Sequence, residues 1–156
     1  MQITVLAIGA RAPGWVEAGI ATYTQRLPRN IELTYKVVAS PRRAASAPAA
    51  TRRKLEADLL RKALPRDAAV VALDAGGEPW SSADLAARLE RWQLDSPSVV
   101  LLIGGADGID ETLRLEADRV WSLSALTLPH ALVRVVVAEQ VYRAWTMLQG
   151  HPYHRE

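Results

Sequence analysis

Two short runs, Ala69-Val70-Val71-Ala72-Leu73-Asp74 and Ser98 to Ile103, are apolar at almost every position. Each stops at glycines, Ala75-Gly76-Gly77 after the first and Gly104-Gly105-Ala106-Asp107-Gly108 after the second. A strand with one wet face alternates polar and apolar residues. A strand that is apolar throughout has both faces covered, as happens where helices flank a parallel sheet. The two runs therefore predict an α/β fold with a parallel sheet flanked by helices. In such sheets ligands lie beyond the carboxyl ends of the strands, where glycines let backbone groups come close.

The remaining periodicity completes an alternating chain. Ile3 to Ile8 reads as a strand closed by Gly9 before the Arg11-Ala12-Pro13-Gly14 turn. Trp15 to Leu27 has helical spacing up to Pro28, and Ile31, Leu33, Tyr35 and Val37 alternate as a second strand. Ser40 to Ala50, with two prolines, five alanines and Arg42-Arg43, reads as a mobile basic loop ahead of a helix over Thr51 to Leu64. Ser81 and Asp84 are placed to cap a helix with an apolar stripe of Leu85, Leu89 and Trp92, and Asp110-Glu111 opens a short helix. Trp121 belongs to a further strand that passes into a loop, and Ala131 to Leu148 is a helix stopped by Gly150. No repeat and no linker divides residues 1–156, so a single domain is expected.

Several function classes are disfavoured. The chain has no cysteine, which removes disulfides, thiolate metal sites and thiol nucleophiles. The opening residues enter a strand without a basic leader, and the longest apolar runs fall far short of the roughly 20 residues that span a bilayer. A cytoplasmic protein with no membrane partner is expected. Charge is divided unevenly: residues 1–66 carry 12 Lys/Arg against 4 Asp/Glu, net +8, and residues 67–156 carry 7 against 13, net −6. A basic half suggests contact with nucleic acid, and solvated helix faces would explain the same counts.

Gly104 to Gly108 matches neither a Walker A loop nor a dinucleotide fingerprint. Asp107 would repel a polyphosphate there and tolerate a cationic or zwitterionic ligand. Trp121-Ser122-Leu123-Ser124-Ala125-Leu126-Thr127-Leu128-Pro129-His130 is apolar, rich in small hydroxyl residues and ended by proline. Its main chain and leucines suit an adenine ring, with a buried connection as the plainer reading. In the last helix Glu139 and Arg143 stand four residues apart on one face with Arg134 nearby, and Glu139 borders an apolar stripe. His151 and His154 sit near each other, but without cysteine and on a chain end no zinc site is expected. The chain ends His151-Pro152-Tyr153-His154-Arg155-Glu156, too rich in rings and charge for an idle terminus.

The blocks Leu101 to Gly105, Trp121 to His130, Val133-Arg134-Val135 through Glu139, Tyr142-Arg143-Ala144-Trp145 and the six-residue ending together resemble one family over the whole chain. These are the small SPOUT-class methyltransferases that methylate N3 of a pseudouridine in large-subunit ribosomal RNA. The resemblance implies a SPOUT fold with a C-terminal trefoil knot and a homodimer with two sites at its interface. It also implies S-adenosyl-L-methionine held by Leu73, by Gly104 and Gly105, and by Leu123, Ser124, Ala125, Leu126, Thr127 and Leu128. The substrate would be ribosomal RNA in the large subunit or the assembled ribosome. Within that expectation Arg143 and Arg155 would hold phosphate or carbonyl oxygen, and Tyr142 and Tyr153 would stack on or hydrogen-bond the base. Glu139 or His154 would move the proton, and His130 would close the pocket. A non-catalytic RNA-binding protein of the same fold is the alternative.

Overall fold

The computed structural model describes residues 1–96 and 98–155; Pro97 and Glu156, the last residue of the tail motif, lie outside the described residues. The elements in chain order are β1 (Gln2–Ile8), α1 (Gly14–Thr24), β2 (Glu32–Val38), α2 (Ala49–Ala63), β3 (Ala69–Pro79), α3 (Ser82–Asp95), β4 (Ser98–Ile103), α4 (Glu111–Glu116), β5 (Arg119–Ser122) and α5 (His130–Leu148). The five strands form one sheet in the order β2-β1-β4-β3-β5, with every neighbouring pair parallel.

Alternation within the strands feeds two cores. Ile3, Val5 and Ala7 of β1 and Val99, Leu101 and Ile103 of β4 face a layer that includes Leu85 and Leu89 of α3 and Val137, Ala138 and Val141 of α5. Leu6, Ile8, Val100 and Leu102 face the opposite layer, where Ala57 and Leu60 of α2 and Leu113 of α4 lie. Burial on both faces is the reason β4 has no polar position between Val99 and Ile103. Ser81 caps α3 as expected: its Oγ accepts from the Asp84 N–H at 3.1 Å, and Asp84 Oδ2 accepts from the Ser81 N–H at 2.8 Å.

Three expectations are corrected. The glycines after Asp74 do not end β3, which shifts register against β5 between Leu73 and Glu78 and pairs again at Glu78 and Pro79. A Cβ on Gly77 would lie 2.7 Å from the Val120 carbonyl oxygen, so the bulge closes only with glycine there. Helix α1 ends at Thr24, short of Leu27, and turns carry the chain on to Pro28. The segment before α2 has its own scaffold: a 3-10 turn over Arg42–Ala44 buries Ala44, and Arg52 donates to the Ala44 and Ala47 carbonyls at 2.9 and 3.0 Å.

Helix α5 packs against both α1 and α3 and ends where Gly150 takes φ +64°. The Gly150 N–H then donates to Met147 O and the His151 N–H to Thr146 O, a paired closure that turns the tail back toward α5. No helix among the described residues is long and apolar enough to cross a membrane.

Candidate active site

Ile103, Leu73 and Trp121 are partners in one row across β4, β3 and β5, so the turn after β4, the bulge in β3 and the loop after β5 begin side by side. Between them lies a cavity of about 260 Å³. The turn after β4 closes tightly: Gly108, at φ +84°, donates its N–H to Gly105 O at 3.0 Å, and a Cβ on Gly104 would lie 2.6 Å from the Gly108 carbonyl carbon. The loop after β5 is held by its serines, with Ser122 Oγ donating to Ser124 O at 3.2 Å and Ser124 Oγ accepting from the Leu126 N–H at 2.9 Å.

Leu73, Gly104, Gly105, Leu123, Ser124, Leu126, Thr127 and Leu128 all line this cavity. Ala125 is exposed and is not among the lining residues. His130 stands at the wall with Val133, and Trp121, stacked on Trp80 at 5.0 Å between ring centroids, forms another side. The sequence reading passed over Asp74, Ala75, Ile109 and Val133, whose signal was adjacency to the glycine turns and the first turn of α5.

Charge around the cavity differs from expectation. Asp107 does not present a bare carboxylate, because Arg52 Nη1 donates to it at 2.6 Å with both side chains about a quarter exposed. Glu56 of α2 is buried against Gly105; its Oε1 accepts from Ser40 Oγ at 2.7 Å and its Oε2 has no partner among the described residues. Burial, reinforced by the Arg134 charge and opposed by Glu56, holds the His130 imidazole below its ordinary value, so it is neutral at physiological pH.

A second constellation lies two turns further along α5. Glu139 Oε1 accepts from Arg143 Nε at 2.7 Å and from Tyr153 Oη at 3.1 Å, while Oε2 accepts from Gln140 Nε2 at 2.6 Å. Burial first, then the Glu139 charge, pushes the Tyr153 phenol well above its ordinary value, so it stays a donor. Tyr142 is 3% exposed, its ring enclosed by Tyr23, Trp145 and an edge-on Tyr153. That enclosure leaves no open face for a base and makes Tyr142 the support on which Tyr153 rests. His154 has a buried Nδ1 with no hydrogen-bond partner among the described residues, and Arg155 is exposed. Arg134 is not near the Glu139 pair: it is 5% exposed and reaches the turn after β1, donating to Ala10 O at 3.3 Å.

Within one chain the two constellations do not meet. None of Glu139, Tyr142, Arg143, Tyr153, His154 or Arg155 lines the cavity. A family model described as "Predicted SPOUT methyltransferase" matches residues 1–154. The chain belongs to the SPOUT methyltransferase family. Two relatives bear the name "Ribosomal RNA large subunit methyltransferase H", from Hahella chejuensis and Thioalkalivibrio sulfidiphilus. Each is 46% identical over 156 residues and is matched along 100% of both chains. Among solved structures, a "Probable Methyltransferase" from Bordetella pertussis aligns with a TM-score of 0.55 at 16% identity, over 90% of this chain and 93% of its own. A methylase family protein from Neisseria gonorrhoeae aligns with a TM-score of 0.53 at 13% identity, over 90% and 81%. These two likenesses show the fold, and membership of the SPOUT methyltransferase family makes the chain an enzyme that needs a methyl donor.

Proposed function

We propose that this protein transfers a methyl group from S-adenosyl-L-methionine to N3 of a pseudouridine in large-subunit ribosomal RNA. It acts in the cytoplasm as a homodimer on the large subunit or the assembled ribosome. The observation that carries this reading is the row Ile103, Leu73, Trp121, which brings the ends of β4 and β5 and the bulge of β3 to one cavity of main chain, glycine and leucine. The full-length relatives named for large-subunit RNA methylation support the substrate. The intact cavity and the hydrogen-bonded tail argue against a non-catalytic RNA-binding protein.

The residues present fit the donor. Main-chain groups of Gly104, Gly105 and the 123–128 loop offer hydrogen bonds to an adenine edge, Leu73, Leu126 and Leu128 cover its faces, and Glu56 behind Gly105 supplies negative charge for a cationic ligand. When bound, S-adenosyl-L-methionine supplies an electrophilic methyl group. The N3–H of pseudouridine is an imide proton flanked by two carbonyls, and a base must remove it. His154, whose Nδ1 has no hydrogen-bond partner among the described residues, is the better acceptor. Glu139, with both oxygens already accepting, acts by aligning Arg143 and Tyr153. Arg143 and Arg155 steady carbonyl or phosphate oxygens.

Because the tail and the cavity are apart in one chain, the tail of each protomer is assigned to the partner's cavity. A C-terminal trefoil knot is part of the same proposal, supported by family membership and by the contacts of α5 with both α1 and α3. Incubating the protein with labelled S-adenosyl-L-methionine and unmethylated large subunits, then mapping the modified nucleotide by mass spectrometry, tests activity, target and position together. Label absent from the RNA, or on another nucleotide, sinks the reading.

A further inference from the structure

A second cavity, of about 550 Å³, opens between the turn after β1, the end of β2 and the first turns of α5. Its inner wall is Arg134, a guanidinium that is 5% exposed. Arg134 Nη1 donates to Ala10 O at 3.3 Å, and its Nε, fully buried, has no hydrogen-bond partner among the described residues. No carboxylate among them lies within ion-pair distance of Arg134. Glu17 also borders the cavity, but Arg11 at the rim holds it at 3.1 Å, so the three charged groups of the site sum to +1.

A buried cation without an anionic partner is costly, and folded proteins keep one where a ligand supplies the missing charge. Two features position the residue, one at its main chain and one at its guanidinium. Tyr35 Oη donates to the Arg134 carbonyl at 2.8 Å, and Gly9, at φ +149°, brings backbone so close that a Cβ there would lie 3.1 Å from Arg134 Nη2. The turn of α5 that carries Arg134 is thus tied to β2, Gly9 packs against the end of its guanidinium, and its Nε has no hydrogen-bond partner among the described residues. His130, one turn before Arg134 on α5, lines the first cavity, so the two cavities share the first turns of this helix.

We propose that the Arg134 cavity is an oxyanion subsite that holds a backbone phosphate of the RNA substrate beside the methyl-donor cavity. A phosphodiester presents two charged oxygens to the planar fork of an arginine, and the open rim at Val37 and Ala39 gives a strand room to pass. A phosphate anchored here would fix the position of a nucleotide whose base reaches the neighbouring cavity. The subsite rests on the geometry alone; its assignment to RNA rests on the methyltransferase reading above.

The test uses Ala39, an exposed residue at the rim, so that Arg134 and the fold stay intact. Inorganic phosphate is titrated into the labelled protein against sodium chloride of equal ionic strength while amide and Arg134 Nε–H resonances are followed. Shifts at Gly9, Ala10 and Arg134 Nε are expected, and their loss in Ala39→Glu. Absence of those shifts, or shifts unchanged in Ala39→Glu, overturns the subsite whatever the enzyme does to RNA. Binding to purified large ribosomal subunits is then measured against salt. Ala39→Glu is expected to weaken it on the order of tenfold and to lower the salt slope by about one, and Ala39→Lys to strengthen it. Affinity for S-adenosylhomocysteine should not move. If that affinity falls while the salt slope holds, the oxyanion is the donor's carboxylate and the RNA assignment is wrong. If wild type methylates no ribosomal particle, the methyltransferase reading fails, and the phosphate titration still decides the subsite.

Discussion

Tyr153 Oη donates to Glu139 Oε1 at 3.1 Å, tying the last turn of the chain to the middle of α5. The same oxygen accepts from Arg143 Nε, so one carboxylate sets the position of a phenol and a guanidinium together. Tyr153→Phe removes a single hydrogen bond, worth about 0.5–1.5 kcal/mol to stability. Misplacing the ring should cost the methylation rate on the order of a hundredfold. Single-turnover kinetics and S-adenosylhomocysteine calorimetry separate these: the rate should drop while donor affinity stays. Glu139→Gln should share that profile. A near-normal rate in Glu139→Ala would remove Glu139 from the site altogether.

Gly105 and Glu56 make a second dependent pair. A Cβ on Gly105 would run into the Glu56 carboxylate, which is buried under the turn that lines the cavity. Gly105→Ala should therefore destabilise the fold by about 1–3 kcal/mol and weaken donor binding, because the turn must move. Shortening the neighbour as well, in Gly105→Ala with Glu56→Ala, should recover part of the melting temperature. The two changes should then be clearly non-additive in denaturant melts. Additive losses would mean that the turn and the carboxylate are not in contact.

Local pattern carried much of this structure. The run Ser98 to Ile103 defines β4 to the residue because both faces are buried, and the Ser81/Asp84 cap places the start of α3. The cavity loops were legible for the same reason: glycine and small hydroxyl residues at strand ends mark backbone that something approaches. What escaped was set by other parts of the chain. The glycines after Asp74 read as a stop, yet β5 lies close enough for β3 to bulge and resume. Arg134 looked like a neighbour of Glu139, but five residues turn a helix by roughly 140° beyond a full circle and send its side chain to the far side. Asp107 looked like a free charge because nothing local announces Arg52, 55 residues earlier.

His130 gives the stability a pH dependence with a definite sign. Its native value lies below the ordinary 6.5, chiefly through burial, so the unfolded chain takes up the proton first as pH falls. Stability is full above the ordinary value and is lost as pH falls through the native one. Melting temperatures measured from pH 7.5 down to 5.5 should decline for wild type and decline less for His130→Asn. Equal declines in the two proteins would show that His130 is not the group responsible.

The separation of the tail from the cavity makes the sharpest demand. Removing residues 151–156 should leave the fold and donor affinity largely intact, since none of the described residues 151–155 lines the cavity, and should abolish methylation. Gly104→Val should do the reverse, blocking the cavity through the close approach of Gly108 while sparing the tail. Neither variant works alone. In a two-fold symmetric dimer with sites completed across the interface, a mixed pair joins the intact cavity of one protomer to the intact tail of the other, one working site of two. Random mixing and re-association of equal amounts should then restore about a quarter of wild-type activity, because half the dimers are mixed and each carries one site. A tail that served its own chain's cavity would restore none. The measurement is methyl transfer to large subunits before and after the two inactive proteins are co-refolded.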